Sequence, residues 1–165
     1  IEPVVMTNLF LFGAGHVGSA ICAVGAPAGL RVVVVDDRPD FVTAERFPDA
    51  AERHAAPFAE AVASIPIGTE DFVLVLTRGH KDDLAVLRAL AAHDVRPRHL
   101  GLIGSRAKWK TLRDGLAEEG VGEEFLGRVR TPIGLPIGAV SAHEIAVSAV
   151  AELIRLRRLG PDASS

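Results

Sequence analysis

The stretch Asn8-Leu-Phe-Leu-Phe-Gly-Ala-Gly-His-Val-Gly18, followed after an amphipathic segment by Arg31-Val-Val-Val-Val-Asp36, decides the fold. It reads as strand, G-x-G-x-x-G turn, helix, strand and a closing acid. Asp36 stands about 20 residues beyond the glycines, as a dinucleotide site requires. Each glycine has its own task. Gly13 permits the tight turn, Gly15 lets backbone N–H groups approach a pyrophosphate, and Gly18 allows close helix–strand packing. The helix start then directs its unpaired N–H groups at an anion.

Outward from this unit, Val17, Ala20, Ile21 and Val24 recur at helical spacing and carry the first helix to about Gly25. A turn at 25–29 feeds the second strand. Asp37-Arg38-Pro39 reads as a turn, Thr43 to Phe47 as a short helix, Glu52 to Ala56 as a weak strand, and Ala59 to Ser64 as one or two helical turns. Phe72-Val-Leu-Val-Leu76 has the continuous apolar character of a buried parallel strand. It ends in Thr77-Arg-Gly-His80 before a helix bearing Leu84, Leu87, Leu90 and Ala91. His99-Leu-Gly-Leu-Ile103 ends in Gly104-Ser-Arg106 before a helix to about Glu119. A short helix from Glu123 to Arg128 and a turn-rich segment, 131–138, precede the last helix. Ser141 and Glu144 form a capping box for that helix, and Ile145, Ala149, Val150, Leu153 and Ile154 form its apolar face. Pro161 to Ser165 reads as a tail.

Alternating strands and helices predict an α/β, Rossmann-like doubly wound parallel sheet in a three-layer αβα arrangement, with one domain over 1–165 and a core over about 8–158. At 165 residues such a chain buries about 70% of its unfolded surface without staples. Charge is well mixed at net −3, which leaves no footprint for nucleic acid, and no apolar run approaches a membrane span. The single cysteine, Cys22, excludes an internal disulfide and a cysteine-based zinc site. It fits a reducing cytoplasm and reads as a buried, inert thiol. His54, His93, His99 and His143 show no metal-ligand spacing, and Trp109 and Phe125 read as core.

Three strands end in glycine-rich or polar turns, at Gly13, Thr77 and Gly104. In an open parallel sheet all three face one crevice, where ligands bind. Asp36 reads as an acceptor for ribose hydroxyls, while Arg38 leaves NAD against NADP open. His16 sits inside the glycine turn, and His80, beside Arg78, is the best general acid or base and the best catalytic candidate. Arg106 and Lys108 open a helix against its macrodipole, a placement that an anion would justify. The chain has no tyrosine, so a Tyr-x-x-x-Lys proton relay is excluded.

In combination, Leu11-Phe-Gly-Ala-Gly-His-Val-Gly18, Val35-Asp-Asp-Arg38, Thr77-Arg-Gly-His80, Ile103-Gly-Ser-Arg106, Pro132-Ile-Gly-Leu135 and Ile137-Gly-Ala139 ahead of Glu144-Ile-Ala-Val-Ser148 resemble the C-terminal Rossmann domain of the XdhC/CoxI family, accessory proteins of xanthine dehydrogenase and related molybdenum hydroxylases. The resemblance spans about residues 8–158. It implies a cytoplasmic, chaperone-like maturation factor, often dimeric, that binds molybdenum cofactor (molybdopterin). Its implied partners are the apo molybdenum hydroxylase and a sulfur-donating enzyme. It places Gly13, Gly15, His16, Val17 and Gly18 at the phosphate or nucleotide portion of the ligand. Asp36, Asp37, Arg38, Thr77, Arg78, His80, Gly104, Ser105, Arg106 and Lys108 would line the rest. The family's preceding domain, with its glycine-rich, cysteine-containing motif, has no counterpart here. Ile1-Glu-Pro3 resembles the interdomain junction, so the chain reads as either a separated C-terminal domain or a single-domain relative. Two other readings are an NAD(P)-dependent oxidoreductase and a non-catalytic nucleotide-sensing domain.

Overall fold

The computed structural model describes residues 6–161; the Ile1-Glu-Pro3 junction and most of the expected tail, 162–165, lie outside the described residues. The strands are β1 (Thr7–Phe12), β2 (Leu30–Asp36), β3 (Glu52–Ala55), β4 (Phe72–Val75), β5 (His99–Leu102) and β6 (Val129–Arg130). The helices are α1 (His16–Gly25), α2 (Phe58–Ser64), α3 (His80–Ala92), α4 (Arg106–Glu118), α5 (Glu123–Leu126) and α6 (Ala142–Leu159). All strand pairs are parallel, in the order β3-β2-β1-β4-β5-β6. The order reverses beside β1, because the chain leaves β3 at one edge and returns as β4 on the other side. That topological switch is where a doubly wound sheet opens a crevice.

The strand period of two divides the core between two faces. Leu9, Leu11, Val32, Val34 and Leu74 point to a layer built by α1 and α6. Phe10, Phe12, Val33, Val35, Val73 and Val75 point to a layer built by α2, α3, α4 and α5. Because both faces are covered, these strands are unbroken apolar runs instead of alternating ones. Each fully buried leucine or valine contributes roughly 1.5–3 kcal/mol over its exposed state. Cys22 is buried in the first layer, and Trp109 and Phe125 pack partly buried against the second.

The capping box of α6 is present, with Ser141 Oγ accepting from Glu144 N and the Glu144 carboxylate accepting from Ser141 N. The structured segment from Thr7 to Leu159 runs one residue beyond each end of the expected core. Two local expectations differ. Residues 43–47 are a turn, not a helix, because Pro48 follows at once and Arg46 directs its donors to distant carbonyls; the helical turn lies earlier, at Pro39–Phe41. Val129–Arg130 is a sixth strand, too short for any periodicity to show.

Candidate functional site

The turns after β1, β2, β4 and β5 occupy neighbouring places on the carboxyl edge of the sheet. At the first of them the three glycines separate by physical reason. Gly13 has φ +127°, and a Cβ there would lie 2.2 Å from the Leu76 carbonyl oxygen. A Cβ on Gly18 would lie 2.6 Å from the Gly13 carbonyl oxygen. Both are required by the turn and its packing. Gly15 is different. Its φ is −80°, which any residue adopts, and nothing lies within 4 Å of a Cβ built on it. Gly15 is also the N-cap of α1, which has no side-chain cap and no acid in its first turn. The helix therefore presents uncapped N–H groups beside open space.

Asp36 holds this turn in place. Its Oδ2 accepts from Ala14 N at 2.8 Å, its Oδ1 accepts from Arg38 N at 3.0 Å, and the Arg38 guanidinium reaches both oxygens at 2.9 Å. Burial alone would push this carboxyl up, but the guanidinium and the two backbone N–H groups outweigh it and hold it at about 2. The Arg38 guanidinium in turn stacks over Phe41, 3.6 Å from the ring centroid. Arg46 completes the clamp from outside the motif: its Nη1 donates to the Ala14 carbonyl at 2.5 Å and to the Phe41 carbonyl at 2.8 Å. Ser19 Oγ donates to the Arg46 carbonyl at 3.1 Å. Both polar backbone groups of Ala14 are thus taken by the protein itself.

The other named residues fall into two sets. Thr77, Ser105 and Lys108 turn inward. Thr77 Oγ1 donates to Asp83 Oδ1 at 2.5 Å, and Lys108 Nζ lies 2.6 Å from Asp83 Oδ2 while donating to the Ile103 carbonyl at 3.1 Å. Ser105 caps α4 by accepting from Lys108 N at 3.1 Å. Gly104 has φ +122°, with the Lys108 side chain packed beneath it. His16, His80 and Arg106 are exposed and make no hydrogen bond or ion pair among the described residues. Arg78 spans from the turn after β4 to Asp37 after β2 at 3.5 Å and to Asp82 on α3 at 3.2 Å. It bridges the strands flanking β1. Val17 is partly buried against α1's own layer.

Arg46, Phe41 and Asp83 are structural members of the site that motif reading passes over. Arg46 belongs to an irregular segment with no spacing to mark it. Asp83 stands in the first turn of α3, where an acid is already justified by the helix dipole. Among the described residues, no cluster of His, Cys, Asp and Glu could hold a metal ion, and no helix is long and apolar enough to cross a membrane.

Fold order, glycine turn and closing acid define a Rossmann domain. A family model described as the XdhC Rossmann domain matches residues 9–153, and the chain belongs to that family. It is 31% identical over 158 residues to a Bacillus subtilis protein named as a probable xanthine dehydrogenase subunit, covering 96% of this chain and 44% of that protein. Over 106 residues it is 31% identical to the molybdenum cofactor insertion chaperone PaoD of Escherichia coli, covering 64% of this chain and 33% of that one. The crystal structure of a xanthine dehydrogenase from Bacillus halodurans superposes with a TM-score of 0.83 at 31% identity, over 97% of this chain and 45% of that one. The chain thus spans less than half the length of these relatives.

Proposed function

We propose that this domain binds the phosphate-bearing portion of molybdenum cofactor in the crevice at β1, within a protein that serves the maturation of molybdenum hydroxylases. The observation that carries the reading is Gly15. It is a glycine that neither the turn nor the packing requires, placed at an uncapped helix start within the G-x-G-x-x-G turn, and its missing side chain leaves the N–H groups there open to an anion. Relatives named as a molybdenum cofactor insertion chaperone and a xanthine dehydrogenase subunit support cofactor as the cargo. The state of Asp36 favours this over a dinucleotide enzyme. Its oxygens are already engaged by Ala14 and Arg38, so a ribose hydroxyl would have to displace one of them. Exposed His16, His80 and Arg106 would meet the remainder of the ligand; the client apo-enzyme and a sulfur donor would be partners, in the cytoplasm.

The test is equilibrium binding of molybdenum cofactor, and separately of NAD(H), to the full-length protein and its Gly15→Val variant. Expected is cofactor binding weakened at least about tenfold by the substitution, with unchanged thermal stability. Equal affinity in the two proteins, or nicotinamide binding and turnover in place of cofactor binding, overturns the proposal.

A further inference from the structure

At the amino-terminal edge of the sheet, across the strands from the glycine turn, lies a cavity of about 440 Å³ between the start of β5, β6 and the last turns of α6. Its volume is in the range of small-molecule sites. Four arginines line it, Arg98, Arg128, Arg130 and Arg155, against one acid, Glu152. Arg128 is paired with Glu124 at 3.3 Å and Arg155 acts on Glu152, so the excess of positive charge rests on Arg98 and Arg130, in a chain whose net charge is −3.

The guanidiniums of Arg98 and Arg130 are anchored without being used up. Arg98 Nη2 donates to the Leu156 carbonyl at 2.6 Å, and Arg130 Nη1 donates to the Gly127 carbonyl at 2.6 Å. The other guanidinium N–H groups of Arg98 and Arg130 make no hydrogen bond among the described residues, and the Arg98 guanidinium lies over the Phe72 ring at 6.0 Å. A guanidinium presents five donors in a fixed fork, so one bond to a carbonyl orients it and leaves a face for bidentate recognition of an anion. Glu152 offsets part of that charge: its carboxylate accepts from Gly134 N at 3.0 Å, faces His99 Nε2 at 3.5 Å, and is held low in part by Arg155. The His99 side chain is 7% exposed, and its Nε2 is turned towards the Glu152 carboxylate. Leu100 and Leu135 supply an apolar floor.

We propose that this cavity is a second binding site, for a small molecule carrying two or more anionic oxygen groups of phosphate or carboxylate type. It is separate from the β1 crevice and stands whether or not that crevice holds cofactor. Arg98 and Arg130 grip the anion, and the His99–Glu152 wall offers a polar contact to the remainder of the ligand.

Titration of isotope-labelled protein at low salt with inorganic pyrophosphate, and separately with citrate, tests this by amide chemical shifts. Expected are saturable shifts at residues 98–100, 130 and 152–156 with at least one probe. The probe that binds identifies the anion class. Arg98→Gln/Arg130→Gln should weaken that response at least tenfold while shifts at residues 13–18 are untouched. Should the double variant fold poorly, Arg130→Glu alone, altering only a bond to a nearby carbonyl, should give a comparable loss. No saturable shift with either probe, shifts confined to residues 13–18, or equal binding by a folded variant would each overturn the proposal.

Discussion

Lys108 and Asp83 form an ion pair of 2.6 Å that ties the first turn of α4 to the first turn of α3, with Asp83 fully buried. The pair joins the turns after β4 and β5 beneath the crevice. Removing one partner strands a buried charge, which costs roughly 3–5 kcal/mol, whereas removing both strands none. Asp83→Asn and Lys108→Met are each expected to be strongly destabilised, and the double variant less so than their sum. Urea unfolding of the four proteins checks this. Strict additivity would mean the pair contributes no coupling.

Gly13 and Gly15 should respond oppositely to the same substitution. Gly13→Ala forces a positive φ on alanine and a Cβ against the Leu76 carbonyl, so a loss of more than about 3 kcal/mol or failure to fold is expected. Gly15→Ala meets nothing and needs no unusual backbone, so its stability should stay within about 0.5 kcal/mol of the parent. Thermal unfolding of both variants decides it.

Asp36 gives stability an acid limb. Its folded-state carboxyl sits at about 2, below the ordinary aspartate value. A depressed acid contributes stability that is fully present above the unfolded value near 3.9 and is lost as pH falls towards 2. On the order of 2 kcal/mol is expected to disappear over that window. In Asp36→Asn that component should be missing at every pH, so the gap between the two proteins should narrow between pH 5 and pH 2. A constant gap would show that Asp36 titrates as in the unfolded chain.

Arg46 should control the order of the glycine turn. Arg46→Met keeps aliphatic bulk and removes the donors to the Ala14 and Phe41 carbonyls, a change of roughly 1–3 kcal/mol for charge-assisted bonds. Amide exchange at residues 13–18 is expected to accelerate more than exchange in β5. Uniform acceleration throughout the sheet would indicate general destabilisation instead.

Cys22 should resist modification. Burial, with Asp49 adding to it, pushes its thiol up to about 11, so almost no thiolate exists at neutral pH. Reaction with a disulfide reagent at pH 8 is expected only at the rate of opening, and promptly in denaturant. Rapid native-state labelling would contradict this.

Sheet and helices were legible because they rest on local signals. The apolar runs at 8–12, 31–35 and 72–76 are continuous since both faces of the sheet are covered, and glycine or polar turns bound each one. The sites of Gly13 and Asp36 were legible for the same reason. What Asp36 does was not. Its acceptors are consumed by Arg38, two residues on, and by Ala14, 22 residues before it, and spacing cannot tell a ligand-facing acid from one turned onto its own backbone. Lys108 likewise reads as an anion contact from its place at a helix start, yet its ammonium folds back onto Asp83 from another helix. Such pairings between elements are set by tertiary packing and leave no mark in the order of residues. The arginines at 98, 128, 130 and 155 come from three separate stretches and line one cavity only because β5 starts and α6 ends beside β6.

Ala14, fastened through its N–H by Asp36 and through its carbonyl by Arg46, holds the β1 turn in shape by contacts that all come from the chain itself. On the proposed reading, capture would require no loop to order itself, and departure would leave nothing to collapse. A pocket of that kind behaves as a fixed berth: residence time follows from the contacts a guest makes, and any latch on unloading has to come from a body outside this fold.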